Sequence, residues 1–241
     1  MFAGLMTYYI SDILNPILGA ALIGLIGAML FNDYKEAIYV GAFVGMSGIF
    51  TVALLLLVLV LAALIYVLLD HQLEGLGGKL GSIAFIATFI VSRFLSPMGS
   101  TVSFNFLEYI YLLIMSVASS LVTYVLNKHL NNTTLSSSFI GLLLGVVLLF
   151  NKTPFVLYLC LVGYGATFIG MQTRYKFYTI PIASLLFVVL YSFHVFNGLG
   201  GLLGFLAFLS LLPIVCINHL IKGVKVWKKS PLSLDQNTVL D

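Results

Sequence analysis

The side chains able to do chemistry in this chain cluster around two similar glycine-rich stretches. His71 and Glu74 precede Gly75-Leu76-Gly77-Gly78-Lys79-Leu80-Gly81, and His194 and Asn197 precede Gly198-Leu199-Gly200-Gly201-Leu202-Leu203-Gly204. Counted from Gly75 to Gly198, the displacement is 123 positions, and it carries His71 onto His194 and Glu74 onto Asn197. An imidazole titrates near neutral pH, so His71 and His194 could couple a proton or gate a polar path. The plainer alternative is a pair of interfacial histidines satisfied by water. Lys79 falls on Leu202, so a charge breaks the similarity. A lysine inside lipid is costly and marks a pathway or a counter-ion pair, here with Glu74 or Asp70 as the resting partner and an anionic group as the ligand. Its competitor is a lysine that snorkels to the interface.

Gly77, Gly78 and Gly81, with Gly200, Gly201 and Gly204, stand where a helix begins in both places. Such a start presents N–H donors and a positive dipole end to a polar or anionic solute. Small residues at spacings of three and four also serve helix packing without any ligand. No nucleophile motif and no metal-ligand cluster is present, so neither an enzyme nor a cofactor is expected. Cys160 and Cys216 fall in apolar stretches and read as reduced packing residues. The terminal lysines suit an anionic leaflet, and no nucleic-acid partner is expected.

These groups must be positioned by elements that face lipid. Of the 241 residues 61% are hydrophobic and 8% charged, against about 25% charged in an ordinary soluble domain. The apolar runs are continuous, which predicts an all-α, polytopic integral membrane bundle rather than a barrel of alternating strands. Nine spans are expected: about 13–31, 37–50, 51–69, 75–91, 104–126, 138–150, 154–171, 178–193 and 201–221. The count falls to seven if 37–50 and 154–171 are re-entrant. The first ten residues lack the features of a cleavable signal and are left outside the spans.

Further landmarks repeat in order. Phe43-Val44-Gly45-Met46 matches Phe168-Ile169-Gly170-Met171 after 125 positions, and Phe31-Asn32 matches Phe150-Asn151. The expectation is a duplicated, inverted 4+1+4 arrangement. It comprises a first membrane repeat over 1–97, a linker helix and loop over 98–136, a second repeat over 137–222 and a basic, polar cytoplasmic tail over 223–241. Ser116, Ser120 and Thr123 share one helix face and are expected to hydrogen-bond a neighbouring helix. Glu108 and Arg93 are expected to pair at the outer interface.

Lysine and arginine favour the cytoplasmic side. Placing the N-terminus outside and the C-terminus inside puts all basic residues except Arg93 and Lys152 in the cytoplasm. The chain is therefore expected in the inner or plasma membrane, with the lipid bilayer and a small solute as partners. The leading function is a channel, facilitator or uniporter for a small neutral or anionic solute, with its pathway between the two repeats. Acidic residues within the spans are nearly absent, which argues against an ion-driven carrier. The alternative is a non-conducting subunit or scaffold, whose partners would be further copies or other membrane proteins.

Overall fold

In the computed structural model the described residues are 1–69, 75–93, 104–173, 177–193 and 198–229, and they are helical with no strand among them. His71, Glu74, His194 and Asn197, with Asp70, lie outside the described residues. Ten α-helices follow in order: α1 Phe2–Ile13, α2 Pro16–Leu30, α3 Lys35–Gly45, α4 Val52–Leu69, α5 Lys79–Ser92, α6 Phe106–Leu130, α7 Thr133–Phe150, α8 Pro154–Gly170, α9 Thr179–Ser192 and α10 Leu202–Lys229. A single 3-10 turn, Asn32–Tyr34, separates α2 from α3.

The helix starts follow from local chemistry. Asn15 caps α2, its side chain accepting from Leu18 N at 2.8 Å, and Pro16 occupies the first turn, where a missing N–H costs nothing. The same Asn15 donates through Nδ2 to Gly145 O, so the cap also ties α2 to α7. Asn132 caps α7 in the same way. At α6, Asn105 and Glu108 form a reciprocal capping box. Glu108 is thereby engaged locally rather than with Arg93, whose guanidinium lies over the Phe89 ring.

Among the described residues three helices, α4, α6 and α7, are long and apolar enough to cross a membrane. Outward side chains such as Leu57, Leu64 and Val67 on α4, and Ile114 and Val125 on α6, are exposed and apolar. The remaining helices are mostly shorter. The 11 residues of α3 rise only about 16 Å against a hydrocarbon core of about 30 Å. The helix α1 lies in the segment that the hydropathy pattern left outside the spans. Its mixture of Thr7, Ser11 and Asp12 with apolar residues gives no long apolar run, yet Gly4 and Thr7 are buried against its neighbours.

Helix neighbours recur in the two halves of the chain. α1 packs on α2, α3 and α4, and α6 packs on α7, α8 and α9. α3 packs on α4 and α5, α8 packs on α9 and α10, and α4 meets α5 as α9 meets α10. The halves join where α2 lies on α7 and where α5 crosses α10. The serine face of α6 is used as its spacing predicts. Ser120 Oγ is 2.9 Å from Ser184 Oγ on α9, and Ser116 Oγ donates to Ser184 O at 3.4 Å.

Candidate functional site

The two glycine stretches meet. An added Cβ on Gly81 would sit 2.5 Å from Gly204 Cα, and one on Gly204 would sit 2.6 Å from Gly81 Cα. An added Cβ on Gly78 would sit 2.7 Å from Phe208 N, and one on Gly201 would sit 2.6 Å from Phe85 N. The partners of early residues in one helix are thus later residues in the other, so α5 and α10 cross antiparallel about three residues inside their N-termini. Both helices therefore begin beside the crossing and run from it in opposite directions. Gly78 and Gly201 have φ of 80° and 82°, a left-handed conformation that glycine adopts without steric penalty. Gly77 faces the Phe168 carbonyl on α8, and Gly200 faces the Phe43 carbonyl on α3.

On α3 and α8 the same correspondence brings aromatic residues together. Phe43 and Phe168 have ring centroids 5.0 Å apart in an edge-to-face arrangement. Beside them, the hydroxyls of Tyr39 and Tyr164 are 2.9 Å apart. Each tyrosine ring lies against a helix glycine, Tyr39 on Gly24 and Tyr164 on Gly141. The hydroxyl protons have one consistent direction. Thr167 Oγ1 donates to Tyr164 O at 2.6 Å, so Ser137 donates to Thr167, Tyr39 to Ser137 and Tyr164 to Tyr39. Sequence reasoning reached Phe43 and Phe168 but missed both tyrosines, although they too are 125 positions apart.

Removing these hydroxyls should therefore give unequal losses. Tyr164→Phe deletes one donor and should cost about 1 kcal/mol. Tyr39→Phe breaks two links of the chain and should cost about twice that. The double variant should cost less than the sum, because the Tyr39–Tyr164 bond is lost only once. Thermal unfolding of the purified protein in detergent measures all three.

Two cavities flank this aromatic centre, and Phe43 and Phe168 line both. One, of about 430 Å³, is bounded by the residues around Gly75–Gly81 and by Asn32, Asp33, Lys35, Glu36 and Met171. The other, of about 310 Å³, is bounded by the residues around Gly198–Gly204 and by Met46, Leu157, Leu161 and Tyr191. Neither a family model, nor a curated protein, nor a solved structure matches the chain. The site has to be read from its own geometry.

That geometry separates a charged cavity from an apolar one. Lys79 is buried at the first position of α5, and its Nζ lies 2.9 Å from Glu36 Oε2. One partner of Lys79 is therefore Glu36, from the first turn of α3. Asp70 and Glu74, the partners expected from sequence, lie outside the described residues. Lys35 donates to Asn32 Oδ1 at 2.8 Å close by. Moved on by 125 positions Glu36 becomes Leu161, and moved on by 123 Lys79 becomes Leu202. Both members of the ion pair are thus leucines around the second cavity. Gly77, Gly78, Gly81, Gly200, Gly201 and Gly204 serve close helix approach, as the packing alternative holds. Gly78, Gly81, Gly200, Gly201 and Gly204 also line a cavity wall.

Proposed function

We propose that this chain is a membrane transport protein, a channel, facilitator or uniporter for a small neutral or anionic solute, built from two inverted units of five helices. The single observation that carries this reading is the reciprocal crossing of α5 and α10. Each supplies the same glycines to the same positions of the other, in opposite directions. Helices related by a two-fold axis and running antiparallel have that axis perpendicular to both. If they lie along the membrane normal, the axis lies in the membrane plane, as in inverted-repeat transporters.

The five-helix unit extends the 4+1+4 arrangement. α1 becomes the counterpart of the C-terminal half of α6, since Gly45 packs on Gly4 and Thr7 as Gly170 packs on Ser120 and Thr123. The helix taken as a linker then opens the second unit. In this topology the end of α2, the charged cavity and the C-terminal tail share the cytoplasmic side. Arg93 and Lys152 face outward, which preserves the basic excess inside. The nine-span count placed Met1 outside. With α1 ahead of that count, the proposed topology is fixed from α2 onward.

The pathway runs from the charged cavity, past the Phe43–Phe168 contact, to the leucine-lined cavity. Both cavities lie between the units, where substrates of such proteins bind, and the first turns of α5 and α10 stand at their walls. Reconstitution into liposomes with neutral and anionic solutes tests the function, and impermeant thiol labelling of Lys35→Cys and Lys152→Cys tests the topology. Labelling from opposite sides, with flux of at least one solute above protein-free vesicles, is the expected result. Labelling from one side removes the inverted arrangement. Absence of flux for every solute, with other subunits co-purifying, favours a scaffold.

A further inference from the structure

We infer that Lys79 is the anchor of a carboxylate-binding site in the larger cavity, and that Glu36 is its resident, displaceable occupant. This deepens the transport reading and takes from it that the cavity opens to water on one side. The two members of the ion pair are unequally placed. The Lys79 side chain is 8% exposed and that of Glu36 is 35% exposed. A buried charge needs a counter-charge, whereas a partly exposed one can return to water at little cost. Lys79 is therefore the fixed member and Glu36 the exchangeable one. The group already held at 2.9 Å from Nζ is a carboxylate, so a carboxylate fits against Nζ at the cavity wall.

The surroundings fit the exchange. Lys35 and Asp33 line the same cavity and are balanced in charge, so a released Glu36 side chain meets a cation on the adjacent residue and open water. The first turn of α5, which has no side-chain cap, adds its positive dipole end at the same wall. A cavity of about 430 Å³ accommodates a carboxylic acid of a few carbon atoms with water around it. The cavity beyond the aromatic centre offers leucines in place of both charges, so it provides no second anion site. Recognition of the carboxylate belongs to one side of the molecule.

The test is thermal unfolding of the full-length protein in detergent, titrated with sodium acetate at constant ionic strength, with sodium chloride as the reference anion. In the wild type acetate competes with Glu36. In Glu36→Gln the Glu36 carboxylate no longer competes, and half-maximal stabilisation should come at a tenfold or more lower acetate concentration. In Glu36→Leu/Lys79→Leu, which reproduces the residues of the other cavity, the acetate response should vanish while the fold persists. Glu36→Asp withdraws the carboxylate by one methylene and should respond between wild type and Gln. It supplies the comparison should Glu36→Gln not fold. Equal acetate dependence in wild type and both single variants, a response retained in the double variant, or an equal response to chloride overturns the assignment. No step requires transport. Acetate binding as described without any solute flux removes the transport reading alone, and flux with a flat acetate response removes this site alone.

Discussion

Gly204→Val is expected to leave no folded, monodisperse protein, whereas Gly48→Ala should behave as wild type. At Gly204 the new Cβ would lie 2.6 Å from Gly81 Cα and 3.2 Å from its nitrogen, so the obstacle is backbone and no side chain can rotate away. Relief requires moving α5 off α10, and α5 is held in place by α3 and α4. Overpacking a tight core costs about 1–3 kcal/mol when side chains can adjust. Here the whole helix pair must separate, so the loss should exceed that range. At Gly48 nothing lies within 4 Å of an added Cβ. Size-exclusion yield and thermal unfolding in detergent distinguish the two. A Gly204→Val protein that melts like wild type would contradict the crossing on which the inverted arrangement depends.

The second large effect concerns passage between the cavities. Replacing both Phe43 and Phe168 by Ala removes the two rings that line both cavities and touch at 5.0 Å between centroids. Solute entry into liposomes, followed by light scattering, should rise at least tenfold for small neutral molecules, and selectivity among them should weaken. Each truncation also leaves a void, costing about 3–5 kcal/mol at a buried phenylalanine. The single Phe168→Leu variant, which keeps most of the packing, should give a smaller rise in a more stable protein. If the double variant folds and flux is unchanged, the aromatic pair is no constriction, and the route past it is mistaken.

How far the molecule was legible from its residues depended on whether the signal was local. The helical class followed from continuous apolar runs, and the serine face of α6 from a spacing of three and four. The glycine stretches announced themselves because the same pattern recurs after 123 positions, and their meeting at Gly81 and Gly204 gives that similarity a physical purpose. α1 was lost because its polar residues interrupt the apolar run that hydropathy requires. Tyr39 and Tyr164 were lost because an aromatic residue in an apolar helix looks like any other filler until its hydroxyl partner is known. The Glu36–Lys79 pair joins residues 43 positions apart through the packing of α3 on α5. Nearer acids in sequence therefore looked like the better partners. The Phe43 match stopped four residues short of a tyrosine match that would have extended it.

In the proposed transport reading, the leucines that stand where the second half would carry its own Glu36 and Lys79 make the two ends of the pathway unequal, and this has a kinetic signature. An uncoupled carrier with one charged and one oily entrance cannot drive its solute uphill, because at equilibrium the solute's electrochemical potential must be equal on the two faces. The inequality then appears as different half-saturation concentrations for influx and efflux, matched by the same ratio of maximal rates. Vesicles sorted by protein orientation would display that rectification directly.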